Sequence, residues 1–248
     1  MQSSNPAMRV ISAQAGQINF GGTDAVATVS GTTTKSLILV ALTFVVGFFS
    51  MYYGIGLLFT GAFGTLKTLT WLSVIVAFVV ALITIFKPQF APVTAPIYAV
   101  FEGVGLGLIS AMYEVQFAGI VSTAVISTFA VVITMLALWK FKIIVPTQKF
   151  KAIVTGATLA VAAIYLLNFV TSIFNFPIIP QAGALSIAVS IIVCAIAALN
   201  LILDFDNIQG AVDQGLPKYF EYFNAFSLLV TICWLYLEIL RLLSKRGE

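Results

Sequence analysis

Seven apolar stretches, each long enough to cross a bilayer as a helix, follow one another along nearly the whole of this 248-residue chain after residue 35. They run over 36–63, 68–86, 92–113, 117–139, 153–174, 182–203 and 219–242. In hydrocarbon, backbone polar groups must be satisfied within their own segment or in a closed barrel. These runs lack the period-two alternation of barrel strands, so the spans are helices. A chain with 60% hydrophobic and 8% charged residues and a mean hydropathy of +1.09 lies outside the range of soluble domains. The expected fold class is an all-α integral membrane protein, a seven-transmembrane-helix bundle.

Residues 1–35 differ in kind: they are rich in Ser, Thr, Gly, Ala and Gln and hold no apolar run that could serve as a signal-peptide core. They read as a polar, flexible N-terminal tail, with 36–248 as the transmembrane domain. The loops are short, so function is expected within the bundle or on its rims. With seven spans, the N-terminal side collects Arg9, Lys35, Lys87, Lys140, Lys142, Lys149, Lys151 and Lys218, against Lys67, Arg241, Lys245 and Arg246 opposite. This excess favours a cytoplasmic N-terminus. The basic group at 140–151, beside Trp139 and Phe141, reads as interface anchoring, and no nucleic-acid partner is expected.

With no histidine in the chain, His-based triads, haem ligation and pH sensing by imidazole are excluded. The two cysteines, Cys194 and Cys233, both lie in apolar spans and read as small hydrophobes. No nucleophile–base pair or metal-ligand cluster appears, so neither an enzyme nor a cofactor is expected. Gly103 and Gly107 make a GxxxG spacing, which on a membrane helix lets another backbone approach closely. Pro92 and Pro96 are expected in the first turns of the third span, where a missing N–H is tolerated.

The acidic residues carry the functional argument. Residues 226–239 are apolar throughout except for Ser227, Thr231 and Glu238. A carboxylate within a membrane helix costs about 2.5–3.5 kcal/mol on insertion scales, so its retention points to ions, protons or a partner charge. Arg241 stands three residues on, and an intrahelical ion pair near the membrane boundary is the alternative role for Glu238. Asp204 closes the preceding span and Asp206 follows it. Successive helical residues turn by about 100°, so these two point to nearly opposite sides and only one readily faces the bundle axis. Glu102, near the middle of the third span, must be protonated, paired or facing a polar cavity. It is a candidate pore carboxylate.

Three stretches carry a resemblance: EGVGLGLIS at 102–110, NLILDFDNI at 200–208 and WLYLEILRLL at 234–243. Together with the number of spans they resemble the Bax inhibitor-1 family, also called the transmembrane Bax inhibitor motif family; LPKYFE at 216–221 looks closest to a bacterial branch. The resemblance implies a bundle with the last helix central, in the bacterial inner membrane, acting as a pH-sensitive calcium leak. Its gate would be a hydrogen-bonded acidic pair on the sixth and seventh helices. By the same resemblance, Asp204 and Glu238 form that gate and a transient calcium contact, with Asp206 as the alternative register. Lys87, after the second span, is the candidate basic partner of the sixth-helix acid. The contrasting reading is a non-conducting membrane interaction protein that modulates a membrane protease or a stress response.

Overall fold

The computed structural model describes residues 26–174 and 183–245. Seven long helices are present among them: α1 Val29–Phe59, α2 Phe63–Phe86, α3 Ala91–Gln116, α4 Ile120–Lys140, α5 Gln148–Ile173, α6 Ala184–Asp213 and α7 Phe220–Ser244. Every one is long and apolar enough to cross a membrane. A single 3-10 turn, Pro88–Phe90, leads into α3. Large side chains such as Phe48, Phe78, Ile126, Ile153 and Phe169 point outward from the bundle, as they do where the surrounding solvent is hydrocarbon. The chain is an integral membrane bundle.

The last helix is the centre of it. α7 packs against α1, α3, α4 and α6. On one side it shares a cluster with Leu39, Ala77, Tyr98 and Ala99 of α1, α2 and α3. On the other it shares one with Ala124 of α4 and Ala197, Leu201 and Phe205 of α6. By contrast, α5 packs extensively only against α6, and its flank is exposed.

The tightest seam is between α1 and α3, and small residues set it. A Cβ at Gly103 would lie 2.8 Å from the Thr43 carbonyl oxygen, and one at Gly107 would overlap the Gly47 carbonyl and lie 2.8 Å from the Ser50 Cβ. That close approach lets the Thr43 hydroxyl donate to the Ala99 carbonyl at 3.2 Å and the Ser50 hydroxyl to the Val104 carbonyl at 2.9 Å. Hydroxyl bonds of this kind hold membrane helices together where lipid supplies no hydrophobic drive.

Two helix boundaries differ from the sequence expectation by more than five residues. α1 begins at Val29 rather than at residue 36, so the last residues of the polar segment are helical. Thr28 caps the helix, its hydroxyl accepting from the Gly31 N–H at 2.9 Å. Thr32, Thr33, Thr34 and Ser36 each donate to the carbonyl four residues earlier, which hides their polarity within the helix. Residues 1–25 of the expected tail lie outside the described residues. α6 runs on to Asp213 instead of ending at residue 203, because Phe205, Ile208 and Ala211 continue its buried stripe. Pro96 lies inside α3, past its first turn, where it leaves the Pro92 carbonyl without its usual intrahelical donor. Between α6 and α7, Gly215 has φ of 63°, the left-handed geometry that glycine adopts without strain, and it turns the chain back into the bundle.

Gly107→Ala is expected to destabilise the protein by about 1–3 kcal/mol through overpacking against backbone. Gly156→Ala on α5, where a Cβ meets nothing within 4 Å, should be neutral or stabilising by up to about 1 kcal/mol. Thermal unfolding of the two variants in the same detergent measures this, and equal shifts would contradict the assigned seam.

Candidate functional site

Polar side chains recur along α7 at Asn224, Ser227, Thr231, Glu238 and Arg241, intervals of three, four, seven and three residues. That spacing places them in one stripe on a helix, and the stripe runs through the middle of an otherwise apolar bundle. α6 supplies Asp204 to it. The Asp204 side chain is 6% exposed, and its two oxygens accept separate bonds from the Ser227 hydroxyl at 2.7 Å and the Thr231 hydroxyl at 2.6 Å. Both available acceptor directions toward α7 are therefore filled by neutral donors.

Glu238, 1% exposed, is held differently. Its carboxylate accepts from Arg241 Nη1 at 2.8 and 2.9 Å, from the Tyr165 hydroxyl of α5 at 2.9 Å and from the Trp234 indole N–H at 3.2 Å. Arg241 also donates to the Tyr165 oxygen at 2.9 Å, with its guanidinium 5.3 Å from that ring. The intrahelical ion pair, the alternative for Glu238, is what forms, and Tyr165 closes it into a three-membered lock.

Asp204 and Glu238 have different partners here, hydroxyls for one and a guanidinium, a phenol and an indole for the other, in place of the direct acidic pair that the family resemblance implies. Helix geometry gives the reason. Asp204 stands level with 227–231, and Thr231 lies seven residues from Glu238, about 10 Å along the axis. Ala197, Leu201 and Leu235, each essentially inaccessible, fill the interval and form an apolar layer between the two carboxylates.

The other expected residues separate. Asp206 turns away from the seam to a salt bridge with Lys151 of α5, so Asp204 alone of the two faces α7. Lys87 caps α2 and lies 5.9 Å from the Phe90 ring, exposed at the bundle's end. It forms no salt bridge among the described residues. Glu102 lines a separate cavity with Tyr98, Ser227 and Thr231, which brings it to the far side of the hydroxyls that bind Asp204. No three Asp, Glu, Cys or His side chains converge as a metal cluster among the described residues.

Sequence reading missed a third buried carboxylate in the α7 stripe's first turn. Glu221, 1% exposed, forms a salt bridge with Lys35 of α1 and accepts from the Thr28 N–H and hydroxyl, both at 2.9 Å. Beside it the Ala27 N–H donates to the Leu216 carbonyl at 2.8 Å and Val26 bridges Pro217. This clamp ties the start of α1 to the start of α7. The available signal was Lys35 and Glu221 at the same membrane boundary, a pairing that chain separation concealed. Thr158, which accepts from the Asn200 side chain at 2.7 Å, was missed as well. With Lys151 and Tyr165 it gives α5 three polar rungs at seven-residue spacing.

The model of one protein family, Bax inhibitor 1 like, matches residues 3–247, nearly the entire chain. The protein belongs to that family. No curated protein and no solved structure matches it. Within this family member, the sixth-helix Asp motif meets hydroxyls, and the final-helix acid meets a base and a phenol.

Replacing Thr231 by the near-isosteric Val strips one donor from a buried carboxylate and is expected to cost about 1–3 kcal/mol of stability. Thr33→Val, which removes an exposed hydroxyl bonded only within its own helix, should stay within about 0.5 kcal/mol. Urea or thermal unfolding in matched micelles compares them, and a silent Thr231→Val would contradict the bonding described for Asp204.

Proposed function

We propose that this protein is a pH-sensitive cation leak whose route follows the α6/α7 seam, with calcium as the ion the family resemblance implies. The observation that carries the reading is the presence of two carboxylates on one buried seam, at two depths, separated by a single apolar layer. Intramembrane acids that face a bundle interior are costly and mark ion or proton paths. Carboxylate and hydroxyl oxygens are the hard ligands calcium takes, and Asp204 with Ser227 and Thr231 supplies such a set. Among the described residues no group of three acids converges there, so contact with the ion is transient.

In this mechanism the arrangement described is the closed one. Ala197, Leu201 and Leu235 exclude water from the seam, as hydrophobic constrictions do in channels. Opening requires α6 and α7 to part at this layer, joining the Asp204 station to the Glu238 station. Arg241 and Tyr165 then release Glu238, whose charge is exchanged from guanidinium to the passing cation. Protons compete with cations for the same carboxylate oxygens, so cation flux falls as the pH is lowered. The lysine excess on the side of the α1 N-terminus supports a cytoplasmic N-terminus, and the resemblance supports a bacterial inner membrane.

Calcium entry into proteoliposomes across pH 5 to 8, a window set against ordinary carboxylate pKa values near 4, tests the proposal. Wild-type protein should conduct above empty liposomes, with flux rising with pH. Asp204→Asn and Glu238→Gln should each lower flux by about tenfold, the scale of one lost charge contact, and flatten its pH dependence. Leu235→Ser, which wets the apolar layer, should raise it. Wild-type flux in both neutralised forms would remove these acids from the gate. The sealed layer also suits a non-conducting interaction protein that modulates a membrane protease or stress response. Folded protein without flux, together with loss of that response on deleting residues 1–25, would favour it.

A further inference from the structure

A second feature adjoins the proposed leak, sharing Ser227 and Thr231 with the Asp204 station, and is tested separately from it. Between α2, α3 and α7 lies a cavity of about 390 Å³, lined by Phe78, Tyr98, Phe223 and Phe226, by aliphatic side chains including Val74 and Val230, and by one acid, Glu102. Its size and make-up are those of a small-molecule site, predominantly apolar and aromatic with a few placed polar groups. Glu102 lies eleven residues into α3, about 16 Å from the helix start and so near mid-membrane. Tyr98 lines the cavity beside it, and it has no Lys or Arg salt-bridge partner among the described residues. That distinguishes it from Glu221 and Glu238, which each have one.

The cavity faces lipid. α2 packs against α1 and α3 and makes no extensive contact with α7, and the lining residues Phe78, Val74 and Ile85 are themselves exposed on the bundle surface. A metal ion arriving there would have to shed its hydration shell against walls that are aliphatic and aromatic apart from Glu102 and the Ser227 and Thr231 hydroxyls, which already donate to Asp204. An organic ammonium with an apolar body meets no such barrier: its body matches the lining, and its charge finds both a carboxylate and ring faces. From this charge and shape complementarity we propose that the cavity is a binding site for amphipathic organic ammonium ions that enter laterally from the bilayer, with Glu102 as counter-ion.

The test uses the full-length protein in nanodiscs and a permanently charged probe, (4-phenylbutyl)trimethylammonium, with its neutral tert-butyl isostere, by equilibrium dialysis against empty nanodiscs. Saturable binding of the ammonium, weakened at least about tenfold for the isostere and at least about tenfold by Glu102→Gln, is the expected result. Ala81→Phe, which fills the cavity and leaves the acid in place, should abolish binding even if Glu102→Gln does not fold. Equal binding of probe and isostere would overturn the proposal and leave an acyl-chain pocket. Unchanged binding in Ala81→Phe would place the probe elsewhere, and the absence of saturable binding would dismiss the site. None of these outcomes depends on calcium flux.

Discussion

A carboxylate surrounded by hydrocarbon must have its oxygens satisfied by protein, and much of this bundle is arranged around that requirement. Three acids are buried in or against α7, and each is satisfied by a different chemistry. Glu221 receives a lysine and a capping threonine from the start of α1. Asp204 receives two hydroxyls. Glu238 receives a guanidinium, a phenol and an indole. Removing one partner from such a group leaves a buried acceptor or charge uncompensated, which costs far more than the bond itself contributes. Where α1 begins and how α5 attaches both follow: α1 extends to Thr28 to reach Glu221, and α5 is secured through Tyr165, Thr158 and Lys151.

Packing divides the molecule into a close-fitted and a loosely held part. α1 and α3 approach through Gly47, Gly103 and Gly107, with backbone against backbone, and α7 wedges against both. α5, in contrast, relies on polar rungs to α6 and α7 and leaves most of its surface to lipid. On the α5 side, Tyr165 bonds both Glu238 and Arg241. Polar rungs can exchange partners, whereas the glycine seam can only separate.

Pattern and composition determined the membrane class, the number of spans and the packing role of the Gly103/Gly107 face, because each depends on local properties: the length of an apolar run, or the absence of a side chain at one helical position. Asp204 and Glu238 were legible for the same reason, since a charge within an apolar run stands out whatever surrounds it, whereas Glu221, beside polar sequence at the start of α7, was not. The opposed directions of Asp204 and Asp206 also followed from helical geometry alone.

Partners were not legible. Which neutral donors face Asp204, that Leu201 and Leu235 come between it and Glu238, that Lys87 remains at its helix end while Lys35 reaches Glu221, and that Glu102 opens on a cavity all depend on the depth and rotation of one helix against another. An apolar helix looks alike from many sides, so its sequence leaves its register against its neighbours open. The sequence by itself determined that this chain is a seven-helix membrane protein carrying acids where acids are costly. Tertiary packing alone decided which groups satisfy them, because that is set by contacts between residues up to 193 positions apart.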